Sequence, residues 1–192
     1  MPITTPESAA LVDNLCTAFH GECDAHARYL IFSGIADAEG WHGVAGLFRA
    51  MAAAEEIHCA NHGRILHQLG GDTEYAAAPV EPRGTVQNLR TALAGELYEI
   101  DSTYPAFLEH ARQIRDTSVV RTLHWALAAE KTHARLVNEA LTLVEFNDRD
   151  AWVTMARLFF VCPVCGYTSD IEDELPMCPV CNCSWKRFEV HR

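Results

Sequence analysis

The sequence predicts an all-α four-helix bundle with one long crossover, followed by a small metal-binding module with short β-strands. Three observations predict it. Four long stretches carry apolar residues at helical spacing. A proline-containing segment, residues 70–84, separates the second stretch from the third. Two Cys-Xaa-Xaa-Cys pairs fall after residue 158, where the long apolar periodicity gives way to short apolar pieces, Gly and Pro.

The first helix is expected over residues 8–38, rich in Ala, Leu and Phe, with Thr5 or Ser8 as its N-cap. The second spans 42–69 and stops at Gly70-Gly71. The third spans 85–115 and contains Pro105, which predicts a kink or a local bulge. The fourth spans 118–146 and ends near Asn147-Asp148. Each exceeds the roughly 11 residues of an average globular helix. Short turns make helices one and two, and helices three and four, antiparallel hairpins. The 70–84 segment, with Pro79 and Pro82, is long enough to run the length of the bundle, and one such crossover is the ferritin-like arrangement. The expected division is a bundle over 1–147, a linker over 148–157 and the small module over 158–192.

Of the 192 residues, 49% are apolar, enough for an ordinary core, and the formal net charge is −11. That charge, without any Lys/Arg run, argues against nucleic acid and anionic membrane surfaces as partners and favours cations. No apolar run approaches the roughly 20 residues of a membrane span. The first ten residues lack the basic and apolar regions of a secretory signal, so a cytoplasmic location is expected. Five of the eight cysteines lie after residue 161. This uneven use favours reduced thiols with the clustered ones binding metal.

The helices also carry acids where a core is expected. Glu22 lies on the first; Glu55 and His58 on the second; Glu96 and Glu99 on the third; Glu130 and His133 on the fourth. Residues three apart share a helix face, and their neighbours are small and apolar. Buried carboxylates are costly unless paired or metal-bound. The pattern Glu…Glu-Xaa-Xaa-His occurs twice, with 33 residues from Glu22 to Glu55 and 34 from Glu96 to Glu130. Two hairpins about a pseudo-two-fold would bring both sets to one mid-bundle point, the donor set of di-iron carboxylate proteins. Gly21 and Gly95, beside Glu22 and Glu96, are expected to leave room for close helix approach. Four Glu balance two Fe²⁺; Glu99 is a fifth carboxylate, expected to ligate the oxidised pair while His58 takes its place on reduction.

Cys162, Cys165, Cys178 and Cys181 form two pairs with 12 residues between them, a strong tetrathiolate signal. Tetrahedral sulfur suits Fe or Zn. Tyr167, Trp185 and Phe188 resemble the aromatic shell of an electron-carrying iron, and a redox metal suits a neighbouring di-iron site, so iron is expected, with zinc the alternative. Cys183 reads as a spare thiol. Cys23 and Cys59, beside Glu22 and His58, read as small apolar fillers, although oxidisable. His20, His26, His42, His62, His67, His110 and His124 fall outside the repeated pattern and receive no metal role.

The stretches AFHGECDAHARY at 18–29, EEIH at 55–58, GELYEIDSTYPAF at 95–107, EKTH at 130–133, CPVCGY at 162–167 and CPVC at 178–181 resemble the rubrerythrin family, in this order and over nearly the whole chain. The resemblance implies a ferritin-like di-iron bundle joined to a rubredoxin-like module. It implies a non-haem peroxidase that reduces hydrogen peroxide to water. Electrons would come from NAD(P)H through a separate reductase or rubredoxin-type protein and the four-cysteine iron. It implies homodimers or larger homo-oligomers, with the four-cysteine iron of one subunit near the di-iron pair of the other. By matching position, Glu22, Glu55, Glu96, Glu99, Glu130 and His133 would ligate the oxidised pair, His58 would replace Glu99 on reduction, and Tyr29 and Tyr104 would hold carboxylates in place, or else serve as core aromatics. A ferroxidase or iron-storage protein is one rival reading; a non-catalytic protein with zinc at the cysteines is the other.

Overall fold

The computed structural model describes residues 6–148, 151–170 and 176–192. Helix α1 (Pro6–Ala38) starts on a proline, which fits a first helical turn because its missing N–H would have no partner there. Ser8 is therefore inside the helix and is not its cap, and Thr5 lies outside the described residues. A three-residue turn leads into α2 (His42–Gln68), whose end is closed by Gly70 and Gly71 N–H bonded back to the His67 and Leu66 carbonyls. Residues 71–84 have no regular structure and form the crossover.

The third expected helix is divided. Helix α3 (Thr85–Tyr98) passes into a π-helical turn, Glu99–Thr103, and continues as α4 (Tyr104–Ile114). Within that turn the Tyr104 N–H reaches five residues back to Glu99. The extra residue absorbs the hydrogen bond that Pro105 cannot donate, so the chain bulges instead of breaking. Helix α5 (Thr117–Glu145) is capped by Asp116, whose Oδ1 accepts from the Ser118 and Val119 N–H at 3.0 Å each.

The bundle has two apolar cores stacked end to end. One holds Leu15, Phe19, Leu66, Leu108 and Leu123. The other holds Tyr29, Phe32, Phe48, Met51, Leu136 and Val137. Each of the long α1, α2 and α5, and the α3–α4 rod, passes from one core to the other at the level of its acidic residues. A polar layer is thus sealed between two oily ones.

The C-terminal part contains the short α6 (Ala151–Thr154) and strands β1 (Phe159–Val161), β2 (Thr168–Ser169) and β3 (Glu189–His191), paired antiparallel in the order β2-β1-β3. Val153, Phe159 and Val161 complete the second bundle core. Two ionic latches add to this. Asp170 accepts from Arg135 and Arg157, each at 2.7 Å. Arg49 bonds Asp37, Ser33 and the C-terminal carbonyl of Arg192. Among the described residues no helix is long and apolar enough to cross a membrane.

Candidate metal centres

Six expected side chains meet in the sealed polar layer. Carboxylate and imidazole atoms of Glu22, Glu55, His58 and Glu130 lie within 4.8 Å of one another, and so do those of Glu55, Glu96, Glu130 and His133. The two tetrads share Glu55 and Glu130. This is an arrangement for two adjacent cations, with the shared carboxylates between them. All six residues are almost wholly excluded from water.

The histidines are oriented alike. His58 presents Nδ1 to Glu55 Oε2 at 2.8 Å and Glu130 Oε1 at 3.3 Å. Its Nε2 faces the Cys165 carbonyl at 3.1 Å. A carbonyl only accepts, so Nε2 carries the hydrogen and the Nδ1 lone pair is available to the centre. His133 repeats the pattern, with Nδ1 2.9 Å from Glu130 Oε2 and Nε2 3.1 Å from Thr168 Oγ1. Thr168 spends its own hydrogen on the Gly166 carbonyl and so accepts from His133. An outward N–H bond of this kind fixes a metal-binding imidazole.

The tyrosines complete the pseudo-two-fold. Tyr29 on α1 donates to Glu96 on α3, and Tyr104 on α4 donates to Glu22 on α1. Tyr29 follows Glu22 by seven residues and Tyr104 follows Glu96 by eight. The π turn supplies the additional residue that lets Tyr104 occupy the equivalent place.

Glu99 stands apart. It opens the π turn, is half-buried, and belongs to neither tetrad. Burial and the charges of Glu22, Glu130, Glu96 and Glu55 push its carboxyl well above the usual range. His58 is thus among the clustered donors and Glu99 is outside them.

Cations fit this layer. Glu22 Oε2, Glu96 Oε2 and Glu130 Oε1 are buried without a hydrogen-bond partner, a cost that metal coordination would remove. Burial lowers the proton affinity of His58 and His133, yet both are held well above the ordinary histidine value, His58 first by the charge of Glu22 and His133 first by that of Glu55. The cluster attracts positive charge.

The four cysteines also converge. Their sulfurs lie within 4.8 Å of one another, with Cys162–Cys181 and Cys165–Cys178 at 3.5 Å. Tetrahedral metal–sulfur bonds of about 2.3 Å would set sulfurs about 3.8 Å apart. The two knuckles match. Gly166 N–H bonds the Cys162 carbonyl and Asn182 N–H bonds the Cys178 carbonyl, with both Gly166 and Asn182 at positive φ. Tyr167 and Phe188 pack on this cluster, joined by Trp125 of α5, while Trp185 stacks on Phe188 at 4.1 Å. The donor sets fit two iron ions in the bundle and one at the four cysteines.

Several expectations need correction. Gly21 and Gly95 are not required for helix approach: an added methyl at Gly95 would meet nothing within 4 Å, and one at Gly21 only Glu99 Oε1 at 3.8 Å. Cys23 and Cys59 are not separate fillers; their sulfurs are bonded to one another. Cys183 is a free, buried thiol, as expected. His62, given no role from sequence, is fully buried, bonds Thr122 Oγ1 at 2.8 Å and Tyr104 at 3.3 Å, and lies 3.6 Å from Glu22 Oε1. Its position four residues after His58 places it on the same helix face, which was the available signal. Within this one chain the two sites touch through Cys165 on His58.

The rubrerythrin family model matches residues 13–141. Rubrerythrin-2 of Clostridium acetobutylicum is 35% identical over 185 residues, covering 96% of this chain and 98% of that protein. Nigerythrin of Nitratidesulfovibrio vulgaris is 33% identical over 172 residues, covering 88% and 81%. The structure of fully reduced, all-ferrous nigerythrin superposes with a TM-score of 0.81 at 31% identity, over 94% of this chain and 86% of that one. Bacterioferritin of Desulfovibrio desulfuricans, at 17% identity and a TM-score of 0.70 over 78% and 88%, shares the fold. The chain therefore belongs to the rubrerythrin family, as a di-iron oxidoreductase of oxidative-stress protection.

Proposed function

We propose that this protein reduces hydrogen peroxide to water at the carboxylate–histidine centre, with electrons delivered through the four-cysteine iron. The observation that carries the reading is the 3.1 Å bond from His58 Nε2 to the Cys165 carbonyl. One hydrogen bond links a backbone group of the sulfur site to a side chain of the carboxylate site. A storage protein has no need of such an input.

In this reading Glu22, Glu55, His58, Glu96, Glu130 and His133 would hold two iron ions, Glu99 would stand in for His58 in the oxidised pair, and Cys162, Cys165, Cys178 and Cys181 would hold the third. Two ferrous ions would supply the two electrons that peroxide reduction needs and would polarise the bound oxygen. Tyr29 and Tyr104 keep Glu96 and Glu22 aimed inward. Glu99, at the edge of the centre, would pass a proton to a departing oxygen as it exchanges places with His58. The apolar cores on either side exclude bulk water. The electron donor is a reductase or rubredoxin-type protein drawing on NAD(P)H, the assembly a homodimer or larger homo-oligomer, and the location cytoplasmic.

The test is NAD(P)H-coupled peroxide reduction by the wild type, Glu99→Ala and Cys165→Ser. Both variants should turn over far more slowly. Undiminished turnover in both would overturn the reading. A count of peroxide consumed per NAD(P)H oxidised separates it from ferroxidase activity, which consumes oxidant in proportion to iron added.

A further inference from the structure

Cys23 and Cys59 join α1 to α2 through a disulfide, with Cα atoms 5.5 Å apart. Each immediately follows a residue of the polar layer: Cys23 follows Glu22, and Cys59 follows His58. Both are half-buried and so are within reach of small solutes. The remaining six cysteines are free thiols, and four of them must stay reduced to take a metal. Surroundings that preserve those thiols are ones in which disulfides are usually transient and redox-active instead of structural. A staple is also redundant here, because a three-residue turn already ties α1 to α2 and both helices supply residues to each core.

We propose that Cys23 and Cys59 are a second redox centre of the bundle, a dithiol–disulfide couple oxidised by hydroperoxide and restored by a dithiol reductant. In the forward step one thiol sulfur attacks the O–O bond of hydrogen peroxide. It becomes a sulfenic acid, and its proton leaves with the departing hydroxide as water. The second thiol displaces hydroxide from the sulfenic sulfur, forming the S–S bond and a second water. Two thiols lose two electrons and one peroxide gains them. In the return step a dithiol exchanges through a mixed disulfide, and its own two sulfurs finish bonded. Capture of the sulfenic acid is intramolecular, which protects it from further oxidation. Cys16 cannot be that partner. It lies seven residues before Cys23, about 10.5 Å along the helix, with its sulfur beside His20.

This inference goes beyond the peroxidase reading and does not depend on it, since it is tested with redox-inert zinc in both metal sites. The full-length zinc-loaded protein is reduced with dithiothreitol, desalted anaerobically and treated with one equivalent of hydrogen peroxide. Thiols are then alkylated and counted peptide by peptide by mass spectrometry. The expected result is that Cys23 and Cys59 are alkylated before peroxide and lost together after it, with two hydrogens missing from the linked peptides and Cys16 still alkylated. In Cys23→Ser, Cys59 should stop at the sulfenic acid and be trapped by dimedone. A bond that dithiothreitol never opens, or a pair that outlasts Cys16 under peroxide, overturns the proposal; the wild-type arm decides it should the variant fail to fold.

Discussion

Gly166 is where the two metal sites press together, and Gly166→Ala tests that junction. Its φ is +76°, and a Cβ there would sit 2.3 Å from His58 Nε2 and 3.0 Å from the Ala54 carbonyl. Carbon contacts settle at roughly 3.5 Å or more, so the knuckle would have to retreat by about 1.2 Å. His58 cannot yield, being buried with its ring packed against Glu55, Nδ1 2.8 Å from Oε2. The neighbouring bond from His58 to the Cys165 carbonyl, 3.1 Å long, would open beyond hydrogen-bond range. Left-handed alanine costs about 1–2 kcal/mol, and the orphaned N–H about 1–3 kcal/mol. The sum, about 2–5 kcal/mol, lowers Tm by at least about 4 °C in a chain of this length. The assays are thermal unfolding of the zinc-loaded protein and stopped-flow reoxidation of the four-cysteine iron after peroxide is added to the reduced iron-loaded protein. Both melting and reoxidation should suffer. A variant that melts like the wild type and reoxidises at the same rate would refute the junction.

Further outcomes follow from other contacts. His62→Phe keeps the bulk but leaves the Thr122 hydroxyl without its 2.8 Å partner, at a cost of about 1–3 kcal/mol; it should also alter the visible spectrum of the iron-loaded bundle, because Tyr104 loses one of its two supports, and an unchanged melt and spectrum would count against a positioning role. Removing metal from the four cysteines should loosen the knuckles, since the metal supplies folding energy that so small a sulfur-centred core lacks. Trp185 fluorescence would report that loss while far-UV helix content stays, and loss of both together would show that the bundle depends on the module.

The four rods, the crossover and the cysteine module were legible because each has a local cause. Apolar periodicity, Gly70-Gly71 and paired Cys-Xaa-Xaa-Cys act within a few residues. The repeated Glu…Glu-Xaa-Xaa-His was legible because a helix fixes what shares its face, so the donors on each helix and their meeting at mid-bundle could be read before the fold was known, but not their division into two tetrads. Pro105 announced a disturbance but not its form; whether a helix kinks or bulges depends on what the rod packs against. Gly21 and Gly95 misled because a small residue beside a ligand does not reveal which neighbour approaches it.

The contacts between segments distant in sequence came from the tertiary structure. Cys23 and Cys59 are 36 residues apart, and nothing local to either brings their sulfurs together. His58 and Cys165 are 107 residues apart, and their bond exists because Val153, Phe159 and Val161 bury against the bundle and carry the knuckle onto α2. The sequence by itself determined, through helical spacing and cysteine pairing, that six of the seven expected bundle donors and the four cysteines would gather, while Glu99 stands apart. Only the packing of helices and module decided how the two centres touch, because burial of apolar surface is indifferent to sequence distance.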